Sequence, residues 1–305
     1  MRKEVKNIPA SIHDRLKRLA RTSGRPFQEY LYYYAIERFL YRLSCSKHKE
    51  LFVLKGGLMF FGWGIPLRRP TRDIDVQGYL GNRVDELVSI VKEICTQEVD
   101  PDGMRYDPDS IREEQIIDIV NYPGVRVYFT GYLGQASIHL HLDISFANVI
   151  TPGEITFDYP TLLGFPVFSL RGYPIETAIA EKVQAMVILE NINDRMKDFY
   201  DVWLLSQQVD LPGETLVDAI RATFAARETR LPTETPTALS GIFAEQRQTD
   251  WEQFLKRSLL DTEDVPAFIH VIDSLNQFLW PILIAASREI PFELIWKAGG
   301  PWQEK

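Results

Sequence analysis

The stretch "LFVLKGGLMFFGWGIPLRRPTRDIDVQGYL", Leu51 to Leu80, constrains the fold more than any other part of the chain. A short apolar run ends in Gly56-Gly57. Paired glycines are costly inside a strand or helix, because glycine loses the most backbone freedom on folding. A turn is expected there. Asp73 and Asp75 then alternate with Ile74 and Val76, which is a strand pattern. Residues two apart on a strand face the same side, so the two carboxylates project together and the two aliphatic side chains go to the core. Like charges that close repel unless something positive lies between them. The stretch therefore predicts strand, turn, strand, and a ligand.

The residue types narrow that ligand. Glycines let backbone N–H groups approach a phosphate with no Cβ in the way. A helix opening at Leu58 would add its N-terminal dipole at the same point. Two carboxylates facing one way suit one or two Mg²⁺ ions, or Mn²⁺, which take oxygen ligands and bridge to substrate phosphates. Asp143, in "HLDISF", is the best third carboxylate, because His139, His141 and Asp143 share one strand face. The two histidines have a separate metal site and a structural role as their alternatives.

Composition excludes several classes. Within 305 residues, two subdomains are the natural expectation, and 45% hydrophobic with 25% charged residues is an ordinary globular balance. Only two cysteines are present, Cys45 and Cys95, neither in a CxxC, so a disulfide framework or thiolate zinc site is not expected. A net charge of -8 argues against nonspecific coating of nucleic acid, although "RLKRLARTSGR" and "RRPTR" offer local basic patches. The first residues lack an apolar signal region, and no uninterrupted apolar run long enough to cross a bilayer is evident. A cytoplasmic location with no membrane partner is expected.

Along the chain, Pro9 to Leu43 reads as two amphipathic helices broken at Gly24-Arg25-Pro26, with Ser11 as N-cap. Tyr32-Tyr33-Tyr34 reads as packing. Val84 to Cys95 is helical, and "GVRVYFTGYLGQASIHLHLDISF" is a hairpin around a glycine turn. "YPTLLGFPVFSLRGYP" reads as loop with a short strand. From Ile175 onward the pattern is helical, with segments near "ETAIAEKVQAMVILE", "RMKDFYDVWLLSQQ", Leu216–Ala226, Trp251–Leu260 and Pro266–Ala286.

"KGG" followed by "RPTRDIDV" resembles the first motif of the DNA-polymerase-β-type nucleotidyltransferases. More specifically, the chain resembles the AbiEii-type toxins. "ERFLYRLSCSKHKELFVLKGGLMFFGW", "YPTLLGFPVFSLRGYPIETAIAEKVQAMV" and "RMKDFYDVWLL" are similar to that family's motifs, over roughly residues 10 to 210. The second motif position is Gly57 where the superfamily often has serine, and the spacer to Asp73 is somewhat long. The resemblance implies an α+β fold: a small mixed β-sheet core with N-terminal helices and a helical C-terminal bundle. It implies residues 1–175 as helical arm plus core, and residues 176–305 as a helical domain completing the active site. The implied activity is Mg²⁺-dependent transfer of a nucleoside monophosphate from an NTP to an acceptor hydroxyl, a tRNA 3′ end or a protein side chain. The implied setting is a bacterial toxin–antitoxin system, with a separate antitoxin bearing a winged-helix domain. An inactive NTP-binding protein and a metal-dependent ribonuclease are the alternatives.

Residue roles follow from both sources. Asp73, Asp75 and Asp143 are expected to hold metal, and Gly56 and Gly57 to cradle phosphates. Lys182 lies in a mostly apolar helix and should point at an anion, since an unpartnered buried ammonium is expensive. That anion is either a carboxylate such as Asp198 or a substrate phosphate; the resemblance implies the phosphate. Arg195 and Asp198 share a helix face, as do Asp198 and Asp201. The resemblance implies that Arg195 clamps the triphosphate and that Asp198 orients Lys182 or accepts the proton of the incoming hydroxyl. Arg69, Arg72 and Lys55 have ligand contact or fold stability as their open alternatives.

Overall fold

The computed structural model describes residues 7–66, 69–80, 84–117, 123–146, 148–260 and 263–304. The start of the chain before Asn7, and Arg68 of the "RRPTR" loop, lie outside the described residues. The chain divides into two compact units, Met1–Ala147 with Ile155–Gly172, and Asn148–Glu154 with Tyr173–Lys305.

The first unit opens with helices α1 (Ile8–Ser23) and α2 (Phe27–Cys45). The N-cap of α1 is Asn7 and not Ser11; its side-chain oxygen accepts from the Ala10 N–H at 3.1 Å. Pro9 explains the earlier start, because its missing N–H is harmless in a helix's first turn. There follow β1 (Phe52–Lys55), α3 (Met59–Gly62), β2 (Ile74–Gly78), α4 (Val84–Cys95), β3 (Met104–Ile117), β4 (Pro123–Leu133), β5 (Ala136–Phe146), β6 (Ile155–Tyr159) and β7 (Phe168–Gly172). They build one mixed seven-stranded sheet in the order β3-β4-β5-β2-β1-β7-β6. The pairs β2/β5 and β1/β7 are parallel, and β1/β2 is antiparallel.

The hairpin is β4–β5, turning at Gly134 with φ +61°. Strand β3 is not marked by periodicity, since "RYDPDSIREEQ" is charged and contains a proline. Pairing with β4 holds it, and a register shift between Asp107 and Arg112 absorbs Pro108.

One face of the sheet is the core. Ile74, Val76, Val125, Val127, Leu142 and Ile144 are buried there. Helix α2 packs on it, with the Phe39 ring 4.5 Å from Phe129 and 5.7 Å from Tyr106. Polar groups inside this contact are matched: Arg42 donates to both oxygens of Asp102 at 2.7 and 3.1 Å, and the Tyr34 hydroxyl donates to the Asp102 carbonyl at 2.6 Å. Tyr33 and Tyr34 are buried, so they pack as expected.

The second unit is mainly helical: α5 (Ile175–Leu189), α6 (Met196–Gln208), α7 (Gly213–Ala226), α8 (Gly241–Arg257) and α9 (Phe268–Arg288). A small sheet of β8 (Leu211–Pro212), β9 (Ile295–Trp296) and β10 (Trp302–Gln303) accompanies them. Nothing in the sequence pattern announces strands that short. Helix α9 is the one helix among the described residues long and apolar enough on average to cross a membrane, although His270, Asp273, Asn276 and Gln277 interrupt its apolar run. Its apolar side chains are core: Phe268, Val271, Ile272, Leu275, Phe278 and Leu279 are buried. The Trp251 ring of α8 stacks on Phe268 at 4.9 Å.

Candidate active site

The first unit brings Gly56, Asp75 and Asp143 together through strand register. Asp75 pairs with Lys55 across β1/β2 and with Asp143 across β2/β5. Laterally paired residues share a face, so both carboxylates stand on the side of the sheet opposite the α2 core. Asp73 lies just before β2 and shares that parity. The expected strand holds for Asp75 and Asp143, and Asp73 lies one residue before its strand.

The glycine bend has a different immediate reason from the one its sequence suggests. Gly56 has φ +67°, and a Cβ there would fall 2.2 Å from Asp75 Oδ2. The missing side chain makes room for the carboxylate itself. A Cβ on Gly57 would sit 3.0 Å from Thr71 Oγ1 and 3.3 Å from Arg69 Nη2. The expectation of a helix opening at Leu58 is corrected: Gly56–Leu58 is a 3-10 turn, followed by only four helical residues. A helix that short supplies no useful macrodipole, since the dipole is a sum over aligned peptides.

Asp143 and Asp73 each have a basic neighbour. Arg126 of β4 donates to both oxygens of Asp143, at 2.6 Å from Nε and 2.7 Å from Nη2. His141 Nε2 lies 3.0 Å from Asp73 Oδ1, and this hydrogen bond raises the imidazole pKa against the opposing effect of burial. Lys55 Nζ donates to Ser145 Oγ at 3.2 Å. His139 turns instead to Thr130 Oγ1 at 3.4 Å, so the two histidines take separate partners. Arg69 is buried, and the guanidinium of exposed Arg72 lies over the Tyr32 ring at 5.2 Å.

Arg126 was missed by motif reading, yet it was accessible. A two-residue turn at Gly134 pairs Leu133 with Ala136, and equal steps back along both strands arrive at Arg126 and Asp143.

The donor set of Asp73 and Asp75 fits a hard divalent cation: oxygen ligands on one face, beside a bend with no Cβ. Asp143 presents its oxygens to Arg126 in this arrangement. Among the described residues no three His, Cys, Asp or Glu side chains are gathered as a ready-made metal site.

The second unit gathers Lys182, Arg195, Asp198 and Asp201. Lys182 Nζ lies 2.5 Å from Asp198 Oδ1 and 3.0 Å from Asp201 Oδ2. Arg195 Nε lies 2.8 Å from Asp198 Oδ2. The side chains of Asp198 and Asp201 are 3% and 1% exposed, whereas those of Lys182 and Arg195 are 17% and 27% exposed. Burial alone would raise the Asp198 pKa. The charges of Lys182, Arg195 and Lys197 outweigh it and hold the carboxyl well below the usual range. The carboxylate partner foreseen for Lys182 is thus present, and Asp201 supplies a second.

The family model described as "Nucleotidyl transferase AbiEii toxin, Type IV TA system" matches residues 38–274, and the chain belongs to that family. It is therefore a nucleotidyltransferase and the toxin component of a toxin–antitoxin system, with an NTP as substrate and an antitoxin as partner. Among solved structures it is similar to a predicted nucleotidyltransferase from Helicobacter pylori, at 15% identity and TM-score 0.49, over 87% of this chain and 99% of that one. It is also similar to JHP933 from Helicobacter pylori, at 16% identity and TM-score 0.47, over 86% of this chain and 94% of that one. No curated protein matches the chain.

Proposed function

We propose that the chain transfers a nucleoside monophosphate from an NTP to an acceptor hydroxyl on RNA, with a tRNA 3′ end as acceptor, in the cytoplasm and with a divalent cation, Mg²⁺ or Mn²⁺. The observation that carries the reading is the seating of the Asp75 carboxylate in the space that Gly56 leaves open. A bound divalent cation would supply charge neutralisation at the triphosphate. Asp73 and Asp75 would hold it. Asp143 is retained as the third metal carboxylate, which requires exchange of its contact with Arg126.

Backbone N–H groups at Gly56 and Gly57 would bind triphosphate oxygens. Lys182 and Arg195 are proposed as phosphate-binding cations, a reading their partial exposure supports. Asp198 is proposed as catalytic by positioning Lys182. A carboxyl held so far below its ordinary pKa is a weak base, so the alternative of proton acceptance is disfavoured. The winged-helix character of the antitoxin is part of the same proposal.

The test is incubation of the protein with Mg²⁺, each α-labelled NTP and purified tRNA. Label transfer is expected, and Asp73→Ala should lower it on the order of a thousandfold. Full transfer by that variant would remove the assignment of the site.

A further inference from the structure

One rung of the first unit's sheet carries a charged side chain on each of five neighbouring strands, β3, β4, β5, β2 and β1. Register aligns Glu114 with Arg126, Arg126 with Asp143, Asp143 with Asp75, and Asp75 with Lys55. Laterally paired side chains share a face, on strands about 4.8 Å apart. The signs run minus, plus, minus, minus, plus. Asp143 and Asp75 are the only like-charged neighbours on the rung. Like charges that close disfavour each other, so a divalent cation gains most between those two.

Arg126 stands between two carboxylates. It holds Asp143 through two bonds, from Nε and Nη2, and so engages both oxygens. A cation bound by Asp143 must take an oxygen that the guanidinium now holds. Glu114, on the other side of Arg126, is exposed and accepts from the Tyr128 hydroxyl through Oε2 at 2.9 Å. The Arg126 side chain is 32% exposed, so packing does not fix it to one neighbour. A pair that open to solvent contributes little to the fold, and breaking it costs little.

We propose that Arg126 is a built-in competitor of the divalent cation for Asp143, and that Glu114 is the seat to which its guanidinium turns when Asp143 holds the cation. The inference rests on the metal role proposed above for Asp143. Apparent affinity for a ligand falls in proportion to the fraction of its site that is competent. The contact of Arg126 with Asp143 therefore sets how tightly the site holds metal, and Glu114 shifts that balance toward binding.

Mn²⁺ titration of the full chain, read by the electron paramagnetic resonance of the free ion, tests this without turnover. Arg126→Gln should bind Mn²⁺ about fivefold more tightly than the parent, the scale of a partly exposed ion pair. Arg126→Lys keeps the charge and loses the two-bond fork, and should bind about twofold to threefold more tightly. Glu114→Gln should bind about threefold more weakly, and should have no effect once Arg126 is already Gln. Unchanged or weaker binding by Arg126→Gln overturns the inference. So does a gain that Arg126→Lys does not share, because removal of charge alone would explain it. A Glu114→Gln effect of equal size with and without Arg126 overturns the second seat. Asp143→Asn separates this inference from the reading beneath it. Parent binding that depends on Asp143 but not on Arg126 removes the inference alone. Binding indifferent to Asp143→Asn, or no binding by any of these proteins, removes the metal role of Asp143 and the inference with it.

Discussion

The two acidic clusters of this chain are built on opposite principles. On the sheet face of the first unit, Asp73 is 43% exposed and Asp75 occupies the space that Gly56 leaves open. In the second unit, Asp198 and Asp201 are almost wholly buried and clasp Lys182. Charge left on a strand face is held by register and remains available to a ligand. Charge buried among cations is already compensated, and removing one partner strands the others. The same residue types therefore report through different quantities: the first cluster through rate alone, the second through stability as well as rate.

The sharpest way to break that contrast is Asp75→Asn. Transfer should fall on the order of a thousandfold, about 4 kcal/mol of transition-state stabilisation, while the urea midpoint moves by no more than about 1 kcal/mol in unfolding free energy. A large loss of stability would show that the strand face is structural. Next comes Asp198→Ala, for which urea unfolding should show a loss of about 3–5 kcal/mol, the usual consequence of an orphaned buried charge. A change within experimental error would place this cluster with the exposed one.

Acid titration sharpens the same point. The Asp198 carboxyl is depressed in the folded state, so its contribution is complete above the ordinary carboxylate pKa and is lost as pH falls toward the folded value. Asp198→Asn should be less stable than the parent at neutral pH, and the two should converge on acidification below about pH 4. Parallel curves would contradict the ion cluster.

Gly56→Ala should act on both quantities. The positive φ adds roughly 1–2 kcal/mol of strain, and the new Cβ meets Asp75 at its carboxylate, for an expected rate loss of about a hundredfold. The smallest effect belongs to Arg126→Lys. The pair is partly exposed, with side chains 32% and 16% accessible, so a double-mutant cycle with Asp143→Asn should give a coupling below about 1 kcal/mol. A coupling of several kcal/mol would move this pair into the buried class.

Period-two alternation made the Asp73–Asp75 strand and the β4–β5 hairpin legible, because a strand's side chains must take opposite faces whatever else the chain does. Helical spacing did the same for α1, α2, α4 and the second unit. Local pattern could not reveal β3, β6 or the two-residue strands, since their stability comes from a partner distant in sequence and not from their own composition. Nor could it separate Lys182 bound to carboxylates from Lys182 awaiting phosphate, because helical spacing gives a shared face and not a distance.

Taken alone, the sequence determined that a glycine turn precedes a strand with two carboxylates on one side, since backbone freedom and strand parity are local properties. Tertiary structure decided what those residues meet. It set Asp75 into the gap at Gly56, and gave Asp143 to Arg126 and Asp73 to His141. Such meetings depend on register and packing between distant segments, which only the folded chain brings within reach of one another.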